Sequence, residues 1–484
     1  MAKDILKSSL SYTILGFLPL TFALIFTPVY LKYLNETEYG ILNLFTFYSS
    51  ILAQTYSLGI SSAFGYIYWD VYKDKSELKS LISDTLGLLL ILQLIFIPVG
   101  LLFGESILDV VIKSSEVFTF YPYALICLFS SAFMVYYEMF LYFFRNEGEY
   151  KKYATLSLST LALLTVGTLI GVVWLDLKAV GALLGRTFGY GLVIIPFLTY
   201  MIYKYGISFN FKKWKLLFVF GLPLFINAII GSLSYGMDRL LIERFDSLET
   251  LGIYGFALVV ITVIETLFSA LNNALSPTLY KYVNELAKEK SKEIQAISHS
   301  IILIIMLTIS GILALLYPAM NLIIDVKYHV AAKFVPLLSM AFLWRIFTTF
   351  KLYPIYMGKK TNFLLISQLI NLALTVILGY LGFQFLGIMG IVYAMYSVKV
   401  IEYIIAKKMS QKVKKVEYNF KNLIILTVAL GASGFATSNL TYLFPNKYIA
   451  YCFPLACLII LAPIVLREEL KVLVYIFKNG KKIF

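Results

Sequence analysis

The feature that most constrains this chain is a succession of apolar runs, each long enough to cross about 30 Å of hydrocarbon, separated by short charged connections. Fourteen such runs are legible. They lie near 9–31, 41–66, 82–104, 118–143, 153–175, 180–203, 216–242, 252–279, 297–319, 333–357, 362–380, 384–406, 422–442 and 447–466. The turn inside 362–406, at GYLGFQFLG, is the least sharply marked. Charged residues make up only 14% of the chain and 60% is hydrophobic. A soluble domain carries roughly 25% charged residues and could not hide that much apolar surface. The chain is an all-α polytopic membrane protein. Its first run is longer than a signal-peptide core and lacks a small-residue cleavage site, so it is taken as the first span.

The formal charge of +14 does not point to nucleic acid, because the basic residues sit in short blocks between spans. One set of connections carries Lys73, Lys75 and Lys79; Arg145, Lys151 and Lys152; Lys204, Lys212, Lys213 and Lys215; Lys288, Lys290 and Lys292; Lys359 and Lys360; and KKMSQKVKK at 407–415. The alternate connections hold few: Lys32, Lys113, Lys178, Arg244, Lys327 and Lys447. This alternation places both termini on the cytoplasmic side of the membrane.

The largest breaks on the cytoplasmic side are 407–421 and KYGISFNFKKWK at 204–215, and the latter divides spans 1–6 from spans 7–12. Its position gives a six-helix lobe at 1–206, a second at 207–410 and a terminal helix pair with a tail at 411–484. The halves echo one another. LPL at 18–20 leads to EYG at 38–40, and LPL at 222–224 leads to IYG at 253–255. Six spans per half implies parallel repeats related by an axis along the membrane normal.

Polar residues at helical spacing mark faces turned away from lipid. Span 2 carries Thr46, Ser50, Gln54, Ser57 and Ser61; span 7 carries Asn227, Gly231, Ser234 and Asp238; span 8 carries Glu265, Ser269, Asn272, Asn273 and Ser276. Serines and threonines alone read equally as helix packing. Deep charges are more informative, since an ionised side chain at mid-membrane costs about 3 kcal/mol or more unless it meets water or a partner. Glu265 and Arg345 fall near the middle of spans 8 and 10. Glu138, Lys351 and Lys399 lie in the lysine-rich halves of their spans, and Asp238, Arg239 and Arg186 toward the other side. Lys399 and Glu402, three apart, suit an intrahelical pair. Arg345 and Lys351 give span 10 a basic lining suited to phosphate or diphosphate. Glu265, with Asp238 and Glu138, supplies carboxylates for charge balance or for coupling to an H+ or Na+ gradient, and a structural Glu265–Arg345 pair is the competing reading. Tyr235 and Tyr396, inside the bilayer, are placed to line a sugar path.

Several classes are excluded. No phosphate-binding loop, soluble catalytic domain, selectivity-filter signature or cysteine–histidine cluster is present, so the chain reads as a transporter rather than an enzyme and needs no cofactor.

Stretches ETEYGILNLFTFYSSILAQTYSLGISSAF (36–64), GLPLFINAIIGSLSYGMDRLLI (221–242), GIYGFA (252–257), ALSPTLYK (274–281) and FVPLLSMAFLWRIFTTFKLYPIYMGKKT (334–361) resemble the polysaccharide-export flippases of the multidrug/oligosaccharidyl-lipid/polysaccharide transporter superfamily. The resemblance implies a V-shaped, MATE-like architecture whose two six-helix lobes enclose a cavity, with a terminal pair of helices. It also implies movement of a polyprenyl-diphosphate-linked oligosaccharide, an O-antigen, capsule or exopolysaccharide unit, to the outer leaflet. On this reading Arg345, Lys351, Arg239 and Arg186 meet the diphosphate, and Gln54, Asn227, Asn272 and Asn273 meet the sugars. Membrane lipids and a polysaccharide polymerase are the implied partners. Drug exporters of the superfamily carry an acidic residue in the first helix, and span 1 has none. Lipid II flippases concentrate arginines in the amino-terminal half, whereas the deep charges here fall mainly in spans 8, 10 and 12. A small-molecule exporter and a lipid II flippase are therefore the secondary readings.

Overall fold

The computed structural model describes residues 22, 25–113, 117–285, 291–357, 361–413, 420–440, 444 and 446–466, and among them there is no β-strand. The chain divides into two compact units, Met1–Gly252 and Ile253–Phe484.

In the first unit residues 25–33 are helical. They are followed by α1 (Glu36–Ser57), α2 (Ile60–Val71), α3 (Lys75–Val111), α4 (Leu125–Asn146), α5 (Tyr150–Leu169), α6 (Lys178–Tyr205) and α7 (Phe211–Phe245). Helix α8 (Leu248–Glu285) begins in this unit. The second unit holds the rest of α8 and α9 (Ser291–Ile323), α10 (Val335–Met357), α11 (Thr361–Leu386), α12 (Ile388–Val413), α13 (Lys421–Asn439) and α14 (Lys447–Val465). Twelve spans among the described residues are long and apolar enough to cross a membrane. The sequence suggested fourteen. The first of those, 9–31, lies mostly outside the described residues. The second, 41–66, is not one helix: it breaks at Leu58 and Gly59, both left-handed (φ 43° and 76°). The Leu58 amide closes α1 by donating to the carbonyls of Gln54 and Thr55. The weakly marked turn also moves. The chain reverses at Gly387 (φ 59°), so α11 runs through GYLGFQFLG to Leu386 and α12 starts only at Ile388, later than the apolar run at 384 suggested.

Several helix starts are set by side chains that satisfy free amides. Asn35 and Glu38 form a reciprocal capping box, each side chain accepting from the other's backbone N–H at 2.8 Å. Asp74, Asn210 and Asn446 cap α3, α7 and α14 one way, each side chain accepting from amides of the first turn.

The first unit packs around α4, which touches α1, α2, α5 and α6. Phe64, Leu86, Phe140, Phe144 and Leu217 are fully buried there. The connection 204–215, read from sequence as a divider, is pinned to α3. Buried Asp84 accepts from the Ser208 hydroxyl at 2.5 Å, the Asn210 amide at 3.2 Å and the Ser80 hydroxyl at 3.0 Å. Its carbonyl accepts from the Trp214 indole at 3.0 Å.

Helices α5 and α6 form a hairpin whose backbones touch. A methyl group on Gly171, in the π-helical turn Ile170–Trp174 that continues α5, would strike the Gly181 backbone and the reverse, and Gly167 faces Gly185 in the same way. Small residues four apart on each arm of the hairpin allow this approach, as in membrane helix dimers. In the second unit Gly382 and Gly390 repeat the arrangement between α11 and α12. Within that unit α10 is the central helix: 83% of its most apolar 18-residue stretch is buried.

Two outcomes are expected in the detergent-solubilised protein. Replacing Gly181 with Ala forces backbones apart and lowers stability by about 1–3 kcal/mol, measured as an earlier thermal unfolding transition. Replacing Asp84 with Ala leaves buried donors unpaired and costs about 3 kcal/mol, while Asp84→Asn recovers part of that loss.

Candidate functional site

Helix α1 carries the polar stripe that builds the site. Asn43, Thr46, Ser50 and Gln54 follow one another at helical spacing and face a cavity of about 530 Å³ in the first unit. Opposite them stand Gly231, Ser232, Tyr235 and Arg239 of α7 and Arg186 of α6. The Thr46 hydroxyl donates to the Leu42 carbonyl at 2.8 Å, leaving its oxygen to accept from Arg186 Nη1 at 3.1 Å. Among the described residues Arg186 has no carboxylate partner. Arg239 Nη1 donates to the Tyr235 carbonyl at 3.2 Å and lies over the Tyr235 ring, 5.3 Å from its centre. Its nearest Asp238 oxygen is 3.6 Å away, too far for a hydrogen bond, and Asp238 Oδ1 accepts instead from the Arg239 backbone amide at 2.9 Å. Asp238 itself is buried. The cavity thus holds two guanidinium groups: Arg239 has the Asp238 carboxylate 3.6 Å away, an ion pair without a hydrogen bond, and among the described residues Arg186 meets no carboxylate. Such a site suits an anion with several oxygens, which planar guanidinium donors meet two at a time.

A second cavity, about 370 Å³, continues toward the lysine-rich end of the same unit. Gln54 and Ala228 line both. Gln54 donates to the Ser232 hydroxyl at 2.7 Å, while its side-chain oxygen is buried without a hydrogen-bond partner among the described residues. Here the break at Leu58–Gly59 changes which face of the stripe is used. Ser57 and Ser62 line the cavity, whereas Ser61, predicted on the same face, is buried and turned to the Val135 carbonyl. Glu138, Tyr142 and Arg145 of α4 and Tyr153 of α5 complete the wall.

In the second unit the deep charges are brought together as a pair. Arg345 Nη1 meets Glu265 Oε1 at 2.6 Å, with the guanidinium also 5.7 Å from the Phe342 ring. Lys351 is 7% exposed, with its ammonium 5.2 Å from the centre of the Phe420 ring, so it faces packed side chains rather than open space. Asn272 accepts from the Tyr353 hydroxyl at 2.8 Å. Lys399 and Glu402 form the intrahelical pair their spacing suggested, at 2.8 Å, and Glu402 also accepts from Asn371. Tyr396 accepts from the Trp344 indole at 3.2 Å. Asn227 is on an exposed face of α7 and Asn273 on an exposed face of α8.

Of the residues singled out from sequence, the structure therefore gathers Gln54, Arg186 and Arg239 around one cavity and places Glu138 on the next. Lys351, Asn272, Asn273, Arg345 and Glu265 lie in the other unit. Sequence reasoning misses Asn43, Ser232 and Arg145 as lining residues. Asn43 extends the α1 stripe by one turn and is readable at that spacing; Arg145 reads in the sequence only as a topology signal.

The polysaccharide biosynthesis protein family profile matches residues 5–283, more than half of the chain. The chain belongs to this family. No curated protein matches it in sequence. Among solved structures it is similar to the lipid II flippase MurJ in an inward closed conformation (TM-score 0.70, 14% identity, 96% of this chain and 100% of that one). It is also similar to an inward-facing multidrug-resistance MATE transporter of the MOP superfamily (TM-score 0.66, 16% identity, 83% and 97%). A third similar structure is the MATE multidrug transporter DinF-BH (TM-score 0.62, 16% identity, 86% and 96%). At these identities the likeness shows a shared fold, that of the MurJ and MATE transporters.

The Glu265–Arg345 contact predicts non-additive substitutions. Glu265→Gln and Arg345→Gln each lower thermal stability, and the double variant loses less than the sum by on the order of 1 kcal/mol, because the pair is partly exposed. A double-mutant cycle of unfolding transitions measures this.

Proposed function

We propose that this protein is a flippase for a polyprenyl-diphosphate-linked oligosaccharide, an O-antigen, capsule or exopolysaccharide unit, carried to the outer leaflet of the cytoplasmic membrane. The observation that carries the reading is the pair Arg186 and Arg239 in one cavity, with Arg186 held only by the Thr46 hydroxyl among the described residues. A cation at membrane depth without a carboxylate partner is stabilised when an anionic ligand arrives. A diphosphate offers the oxygens that two guanidinium groups can share. Membership of the polysaccharide biosynthesis family supports the glycan.

In this reading the diphosphate sits between Arg186 and Arg239, Gln54 meets the first sugar, and the polyprenyl tail stays in lipid. Residues 1–206 and 207–410 act as the two lobes of an alternating-access cycle, with 411–484 as an accessory pair. Glu265 and Asp238 serve as charge-balancing or ion-coupling carboxylates toward an H+ or Na+ gradient. Arg345, Lys351, Asn227, Asn272 and Asn273 are held for later stages of passage, where the Glu265–Arg345 pair opens to an incoming phosphate. A polysaccharide polymerase would receive the product.

Lipid II is the second reading, and two observations favour it. The cavity-facing arginines lie in the amino-terminal unit, where lipid II flippases are expected to concentrate them, while the deep charges farther along the chain largely pair with one another. The first of the similar structures is itself described as a lipid II flippase. Lipid II shares the polyprenyl diphosphate, so both readings use the same arginines. A cation exporter of the MATE kind calls for an anionic cavity, opposite in sign to the one built by Arg186 and Arg239.

The test is transfer of radiolabelled polyprenyl-diphosphate oligosaccharide across sealed proteoliposomes containing the full chain. The wild type is expected to move label, and Arg186→Ala with Arg239→Ala to slow it by about 10- to 100-fold, the effect of losing charge-assisted hydrogen bonds. Faster transfer of lipid II than of any oligosaccharide assigns the second reading. Uptake of a small organic cation with no lipid transfer overturns both.

A further inference from the structure

The second cavity, at Glu138, has a chemistry distinct from the first. Glu138 lies well inside α4, yet its side chain is exposed into the cavity, and among the described residues it has neither an ion pair nor a hydrogen bond. A carboxylate at that depth must meet water or a ligand. The nearby Arg145 does not serve it by default: its guanidinium lies over the Tyr142 ring, 5.0 Å from the centre, one cavity wall away toward the lysine-rich end. Around Glu138 stand the hydroxyls of Ser57 and Ser62, the amide of Gln54 and the rings of Tyr142 and Tyr153. Hydrogen-bonding groups at fixed positions beside aromatic surface, in a concave site of about 370 Å³, fit one ring of a carbohydrate.

Position adds a second argument. Thr46, which accepts from Arg186, and Gln54 are both on α1, separated by roughly 12 Å along the axis at about 1.5 Å per residue. Gln54 belongs to both cavities, so a ligand whose diphosphate rests at the arginines extends its first ring past Gln54 toward Glu138.

We propose that the Glu138 cavity is a sugar-reading subsite for the ring next to the diphosphate, accepting hydroxyl or N-acetyl donors of a neutral pyranose and turning away a uronic acid. The inference rests on the flippase reading and adds the substrate class that the site selects. A carboxylate acceptor strengthens hydrogen bonds from neutral donors. The same charge opposes a sugar carboxylate, so selection arises from repulsion as well as attraction.

The experiment measures equilibrium binding of three probes to the full chain in nanodiscs: bare polyprenyl diphosphate, the same lipid carrying one N-acetylglucosamine, and the same lipid carrying one glucuronic acid. The wild type is expected to bind the N-acetylglucosamine lipid about tenfold tighter than the bare lipid, and the glucuronic acid lipid no tighter than the bare one. Glu138→Gln, nearly the same shape, should lose most of the N-acetylglucosamine increment and relax the discrimination against glucuronic acid, with bare-lipid affinity no weaker. Arg186→Ala should weaken all three. Equal binding of the three probes by the wild type, or an unchanged increment in Glu138→Gln, overturns the sugar subsite and leaves the diphosphate site standing. Failure of all three lipids to bind removes the flippase reading and this subsite with it.

Discussion

Hydrocarbon offers no hydrogen bonds, and most of this structure follows from that single fact. Every polar side chain carried into the membrane has to be met by another protein group, by water or by a ligand. The second unit answers with pairs: Arg345 with Glu265, Lys399 with Glu402 and Asn371, Asn272 with Tyr353. The first unit answers differently. It satisfies Asp84 completely, from three donors and at the connection it anchors, but leaves Arg186 and Glu138 facing open volume. A contrast of that kind inside one chain separates groups that hold helices together from groups kept ready for something else.

Much of the fold was legible because membrane spans announce themselves by length and by the lysine blocks between them. Where legibility failed, the reasons were local. Span 2 looks continuous because Leu58 and Gly59 are apolar and small, and nothing in their letters says that both adopt left-handed backbone. The reversal at Gly387 was hidden in a run with several glycines, each a plausible turn. The connection at 204–215 read only as a break between spans because its tie to Asp84 joins residues over a hundred positions apart.

The site was half legible. Helical spacing put Thr46, Ser50 and Gln54 on one face of α1, and that face lines the cavity, since period alone decides which residues share a face. Depth in a span was a good guide to which charges are unusual, but not to which of them are paired. Arg345 and Arg186 look alike in the sequence; a carboxylate at 2.6 Å distinguishes one from the other. Pairing across helices is a tertiary fact, and no periodicity within one helix contains it.

The touching backbones of α5 and α6, and of α11 and α12, carry a mechanical consequence. Side chains between helices act as bearings: they can change rotamer and let one helix slide on its neighbour. At Gly167–Gly185, Gly171–Gly181 and Gly382–Gly390 there are no such bearings. In the first unit the contact is made at two heights, which resists both sliding and tilting of one helix against the other. The α5–α6 hairpin is therefore a stiff lever, and the break between α1 and α2 is clamped in the same way, because Gly59 rests directly on the Gly221 backbone of α7.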